Sequence, residues 1–296
     1  MEPLTVGSLT MAWGARTYVM GILNLTPDSF SGDGLFLRSA GEDAHVRSAL
    51  DQARRFLAAG ADLLDVGGES TRPGSQPVDA DEELHRVLPV LRALTAEHPH
   101  VPISIDTCKA AVAGQALQAG ACMINDVWGL RADPDLAGVA ARFNAPVILM
   151  HNRSAPADVE VRARLGGAYR EAQYGDLLED VKTDLLASVD IARQAGIPDG
   201  SILLDPGIGF GKSVAQNLEL IDRLGELRGL GYPILLGPSR KSFIGYTLDL
   251  PPGQRLEGTA AAVAVGIVRG ADIVRVHDVE AMVRVARMTD ALVRRK

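Results

Sequence analysis

The stretch AAGADLLDVGG, residues 58–68, reads as a helix end, a glycine, a short apolar strand and then polar residues. The same order returns in QAGACMINDV from Gln118 and in VRGADIVRVHD from Val268. Gly60, Gly120 and Gly270 suit the left-handed residue just past a helix C-terminus, where a Cβ would cost energy. Working outward, five more unbroken apolar runs appear: YVMGILN (18–24), VPISID (101–106), APVILMH (145–151), SILLD (201–205) and YPILLG (232–237). Together they make eight strands. Continuous apolar runs suit parallel strands buried on both faces.

Helical spacing fills the gaps, with Ala49, Leu50, Ala53, Phe56 and Leu57 on one face and Leu84, Val87, Leu88, Leu91 and Leu94 on another. Asp133-Pro134 reads as a helix start, an N-cap followed by proline in the first turn. Eight strands alternating with helices predict a (β/α)8 barrel, the TIM-barrel form of the α/β class, in preference to an open doubly wound sheet. No Pro/Ser-rich linker divides the chain, so one domain over 1–296 is expected. The 152–175 segment lacks a clear pattern and is expected to cross the barrel rim as a mobile excursion.

Apolar residues make up 47% of the 296, enough for one large core, and a net charge of −7 argues against a nucleic-acid or anionic-membrane partner. The N-terminus lacks the pattern of a secretory signal, and no run is long enough to span a membrane, since AAAVAVGIV stops at Arg269. The two cysteines, Cys108 and Cys122, have neither metal-site nor disulfide spacing; small buried residues in a reducing cytoplasm fit them. DPGIGFGKS (205–213) ends in Gly-Lys-Ser, yet only three residues separate Gly207 from it and Pro206 stands where a P-loop needs glycine.

In a barrel the strand C-termini form one face, where chemistry is done. Their ends read Asn24, Asp65, Asp106, Asn125 with Asp126, His151, Asp205, the 237–241 turn, and Arg275 with His277. Any one of these could cap a helix or shape a turn. All together, they cost desolvation unless a ligand satisfies them. The other histidines, His45, His85, His98 and His100, read as surface residues. NLTPDSFSGDGLF (24–36) and GGESTRPGSQPVD (67–79) are long, Gly/Pro/Ser-rich loops suited to closing over a ligand. GPSRKSF (237–243) and RVH (275–277), with Asn24 from the neighbouring first strand, would make an anion pocket after strands seven and eight.

GILNLTPDSFS, DVGGESTRPGS, SIDT, INDV, LMH, DPGIGFGK, GPSRKSF and RVHDV, in this order from about residue 18 to 290, resemble the dihydropteroate synthases. The resemblance implies a transferase, commonly a homodimer, that joins 6-hydroxymethyl-7,8-dihydropterin pyrophosphate to p-aminobenzoate in folate biosynthesis, with Mg2+ present. It implies pterin contacts at Asp106, Asn125, Met150, Asp205, Gly237, Lys241 and Arg275, and pyrophosphate contacts at Asn24, Arg275 and His277. Asn24 would also ligate the metal. Phe30, Thr71, Arg72, Pro73 and Ser239 would shape the p-aminobenzoate side, and Lys241, Asp106, Asp205 and Arg72 would carry the chemistry. Family members commonly read SFSDGG in the first loop, whereas this chain reads SFSGDGLF, which displaces Asp33 by one residue. Rival readings are a methyltetrahydrofolate corrinoid methyltransferase, which handles no pyrophosphate, and a Schiff-base aldolase built on Lys241. A third is a non-catalytic pterin-binding paralogue, whose mark would be loss of Asn24, Arg72 or Lys241; all three are present.

Overall fold

A computed structural model describes residues 1–26, 42–71, 75–155, 159–162, 164–169 and 173–294. The chain opens with a small antiparallel hairpin, β1 (Leu4–Val6) and β2 (Leu9–Met11), then enters the sheet at β3 (Tyr18–Asn24). Helix and strand then alternate: α1 (Glu42–Ala59), β4 (Leu63–Gly67), α2 (Ala80–Glu97), β5 (Ile103–Asp106), α3 (Ala110–Gln118), β6 (Met123–Asp126), α4 (Leu136–Phe143) and β7 (Val147–Met150). A second hairpin, β8 (Val159–Arg162) and β9 (Gly166–Tyr169), interrupts the pattern. It resumes with α5 (Leu177–Gln194), β10 (Ile202–Asp205), α6 (Val214–Asp222), β11 (Leu235–Leu236), α7 (Ser242–Leu248), α8 (Leu256–Val268), β12 (Ile273–Val276) and α9 (Val279–Val293).

Eight strands pair in parallel in the order β10-β7-β6-β5-β4-β3-β12-β11, and a parallel bridge from Leu204 to Ile234 joins the two ends into a barrel. The three glycines after helices have φ of +101°, +109° and +103°, the left-handed region expected of them. Helix α4 starts at Leu136, later than the Asp133-Pro134 signal. Asp133 instead accepts the backbone N–H of Asp135 and, across a gap, that of Ala110 at the start of α3. The 152–175 excursion holds the β8–β9 hairpin where a patternless segment was expected.

Strand alternation sorts the core into two bodies. Val19, Leu64, Val66, Ile105, Ile124, Val147, Leu149, Leu204 and Val274 pack outward among the helices. Tyr18, Met20, Leu63, Met123, Ile148, Leu203, Leu235 and Ile273 face inward, and Leu4, Val6 and Met11 of the first hairpin pack with them, closing the end of the barrel away from the strand C-termini. The apolar filling thus supports whatever stands two residues further along each strand.

Candidate active site

Two residues beyond the inward apolar set, on the same side of their strands, come Asp65, Asn125, Met150, Asp205, Gly237 and Arg275, with Ser104 and Asp106 on β5. At the centre, the Arg275 guanidinium donates from Nε to Asp65 at 2.5 Å and from Nη2 to Asp106 at 2.6 Å. Asp65 is fully buried and also accepts from Ser104 Oγ and from Asn125 Nδ2 at 3.1 Å. It therefore sits below the mouth, two residues before the end of β4, and braces Arg275 and Asn125 from beneath. Burial works against the Arg275 charge, but Asp65 and Asp106 outweigh it and hold its pKa above the ordinary value. Burial pushes the Asp106 carboxyl up to about 7; Arg275 opposes the rise, and Asp65 and Glu83 add to it.

Asp205 ends β10 and accepts from the backbone N–H of Gly207 at 2.7 Å, while burial raises its pKa. The turn that follows has a reason for its glycines: Gly207 has φ of +71°, and a Cβ there would lie 1.8 Å from the His151 carbonyl oxygen. Lys212 is the strut of this turn. It is 3% exposed, and its ammonium donates to the carbonyls of Gly207 (2.9 Å) and Phe210 (3.0 Å) and to His151 Nδ1 (2.9 Å). Burial pushes Lys212 down to about 7, and burial together with Lys212 pushes His151 down to about 2. His151 is thus a neutral ring whose Nε2–H donates to Asp184 at 3.1 Å. The Phe210 ring carries Lys241 Nζ at 3.9 Å from its centroid, and a Cβ at Gly209 would press on the Lys241 stem at 2.9 Å. A Cβ at Gly237 would be 3.9 Å from both Asp205 Oδ2 and Arg275 Cβ, which places these three at one mouth.

Asn24 and His277 meet at 3.4 Å, and Ser239 Oγ takes both the backbone N–H of His277 (3.1 Å) and its Nδ1 (3.0 Å). Ser239 therefore joins the Asn24–His277 group. Arg240 turns away to Asp278 at 2.6 Å. Thr71 is described at the base of the second loop; Phe30, Arg72, Pro73 and Asp33 lie outside the described residues. The stem of that loop is tied by Lys109, which donates to Glu69 and, at 2.6 Å, to Glu83, while Glu69 accepts the Val78 N–H at 3.1 Å.

Two strand-end residues do not face the mouth. Asp126 and His151 follow the inward Asn125 and Met150 by one residue and so point to the other side. Asp126 accepts the N–H groups of Trp128 (2.8 Å) and Leu130 (2.6 Å), a turn cap; His151 reaches α5. His45 is buried, against the surface position expected of it, and the two cysteines are half-buried. Sequence reasoning placed Asp65 in the ring without a task and left Lys212 as a failed P-loop lysine. The signal for the first was its parity with Leu63, and for the second a lone lysine closing a run of apolar and glycine residues, Gly207 to Gly211.

The family described as pterin binding enzyme matches residues 20–277. Dihydropteroate synthase of Clostridium beijerinckii is 48% identical over 293 residues, 99% of this chain and 100% of that protein. The solved dihydropteroate synthase of Clostridium difficile, determined in the presence of pteroic acid, superposes with a TM-score of 0.84 at 48% identity, over 96% of this chain and 99% of that one. The Xanthomonas albilineans enzyme with 4-aminobenzoic acid does so with a TM-score of 0.82 at 41% identity, over 96% and 94%. Matched along almost its whole length in both sequence and backbone, this barrel belongs to the dihydropteroate synthases, pterin-binding transferases of folate biosynthesis.

Proposed function

We propose that this mouth condenses 6-hydroxymethyl-7,8-dihydropterin pyrophosphate with p-aminobenzoate, giving 7,8-dihydropteroate and pyrophosphate. The observation that carries the reading is the convergence, on an apolar floor, of the buried carboxylates Asp106 and Asp205 with Lys241 and the Asn24–His277–Ser239 group. A carboxylate matches the adjacent N–H donors of a flat pterin, and the ammonium of Lys241 matches its carbonyl. The 4-aminobenzoic acid on the Xanthomonas relative supports the second substrate.

The carbon–oxygen bond to pyrophosphate breaks first, and the positive charge left on the methylene spreads into the electron-rich ring. Asp106 and Asp205 stabilise that charge from buried positions, where such interactions are strong. The amine nitrogen of p-aminobenzoate then bonds to the methylene and sheds a proton to water. Asn24, Arg275 and His277 receive the departing anion. Thr71 and Ser239, with Phe30, Arg72 and Pro73, belong to the p-aminobenzoate side in this reading, and Asn125, Met150 and Gly237 to the pterin slot.

The donor set fits Mg2+ as a partner of the substrate. Among the described residues the Asn24 amide oxygen has no hydrogen-bond partner, and no three His, Cys, Asp or Glu side chains group as a metal cage. A single oxygen donor suits a metal that keeps its waters and takes phosphate oxygens. Bound there, Mg2+ would neutralise charge on the leaving pyrophosphate.

A homodimer is part of this proposal. Val265 and Val268 on α8 and Met288, Leu292 and Val293 on α9 are exposed on neighbouring helices, an apolar surface that a second copy would cover. Unpaired cysteines suit a cytoplasmic setting. The test is direct: the protein mixed with the pterin pyrophosphate, p-aminobenzoate and Mg2+ should form dihydropteroate. No product, with both substrates intact, would refute the activity, and a monomer mass by light scattering would refute the dimer.

A further inference from the structure

We propose that Tyr169, delivered to the barrel mouth by the inserted β8–β9 hairpin, forms one wall of the pterin slot and sets how tightly the ring is held. The proposal rests on the pterin reading above.

The hairpin occupies the connection between β7 and α5. Its tip is fastened to the segment that carries Lys241. Arg255, 4% exposed, donates from Nη2 to the Leu165 carbonyl at 2.7 Å and from Nη1 to the Arg240 carbonyl at 2.9 Å. Arg164 donates to the Asp249 carbonyl at 2.8 Å, and the Arg162 guanidinium lies 4.8 Å from the Tyr246 ring centroid. These links hold the hairpin without help from Tyr169.

Tyr169 stands at the other end of β9 and packs with Trp128 against Val127, Met150 and Phe210, a cluster separate from both bodies of the core. Each of those three borders the mouth. Met150 is the register partner of Asp205, Val127 follows Asn125 by two residues, and Phe210 carries Lys241. Tyr169 and Trp128 are only half-buried, so aromatic surface remains open beside the groups expected to read the pterin edge. Ser154, beside the Tyr169 hydroxyl, is itself fixed on Asn152 Oδ1. The ring is held by its packing on this cluster and leaves an apolar face to offer. A flat heterocycle covers such a face well.

The test titrates 6-hydroxymethylpterin, which binds without reacting, and follows Trp128 fluorescence. Trp13, the second of the two tryptophans, packs edge-on to Tyr18 with centroids 6.1 Å apart at the far end of the barrel, and a Trp13→Phe background removes its signal. Pterin should quench Trp128. Tyr169→Ala should raise the dissociation constant roughly three- to tenfold, the range of an aromatic contact. Tyr169→Leu, which keeps apolar bulk for folding, should still raise it. Tyr169→Phe should change it less than about twofold, because the proposed contact is made by the ring face and not by the hydroxyl. The Michaelis constant for p-aminobenzoate should stay put in all three. Unchanged pterin affinity in Tyr169→Ala and Tyr169→Leu would overturn the proposal, as would an equal loss for both substrates, the mark of a hairpin anchor. Failure of the parent protein to bind pterin would instead overturn the functional reading itself.

Discussion

Asp65→Asn tests whether the floor of the site is held by charge. The substitution keeps the shape of the side chain but removes the negative charge at a fully buried position that accepts from Arg275 Nε at 2.5 Å, from Asn125 at 3.1 Å and from Ser104. An asparagine offers one acceptor oxygen and turns an N–H toward at least one of those donors. Arg275 is left with Asp106 alone. Breaking a buried pair outright costs about 3–5 kcal/mol, and because one carboxylate remains we place the loss at the lower end, about 3 kcal/mol. For a chain of this size that corresponds to a drop in Tm of roughly 6–12 °C by scanning calorimetry. A second readout follows from the same geometry. Asp65 is one of the forces that raise Asp106, so its removal should move the midpoint of the pH dependence of pterin affinity to lower pH. A variant that melts within about 2 °C of the parent, with that midpoint unmoved, would refute the argument.

Burial holds Asp106 at about 7 against an ordinary value of 3.8, so between those values the folded protein keeps a proton that the unfolded chain has released. Its contribution to stability should therefore be fully present below about pH 4, decline as pH rises to about 7 and level off above; urea unfolding across that range checks it, and Asp106→Asn should flatten the slope. Lys241→Ala should keep the fold but lose most turnover, since a charge-assisted hydrogen bond to the pterin is worth roughly 1.5–3 kcal/mol; near-normal activity or loss of the folded circular-dichroism spectrum would count against it. His277→Ala should weaken the pyrophosphorylated pterin by roughly 1–3 kcal/mol and leave the plain hydroxymethyl pterin almost untouched, as calorimetry on the two ligands will show.

The eight strands were legible in the sequence because a parallel barrel strand is buried on both faces and so must be apolar up to its C-terminal end, as in VILM of β7 and the ILL that precedes Asp205 in β10. The three helix-end glycines were legible because only their conformation lets the chain turn back into the sheet. Those local demands also announced the mouth, since polar residues at eight strand ends have few other uses. Which side of a strand a residue takes was left to register: Asn125 and Met150 enter the barrel while Asp126 and His151, one residue later, leave it. Pairings across the barrel were hidden for another reason. Asp65 and Arg275 are 210 residues apart, and nothing local in DVGG or RVHD says that they touch. The hairpin that brings Tyr169 to Met150 and Phe210 shows only a weak alternation in VEVR and GGAY, because it buries little of its own and takes its place from Arg255 and Arg164. The sequence by itself determined a barrel with a polar mouth, since burial and backbone conformation act residue by residue; the tertiary structure decided which charges brace one another and which aromatic faces meet there, because those energies exist only between residues that closure brings together.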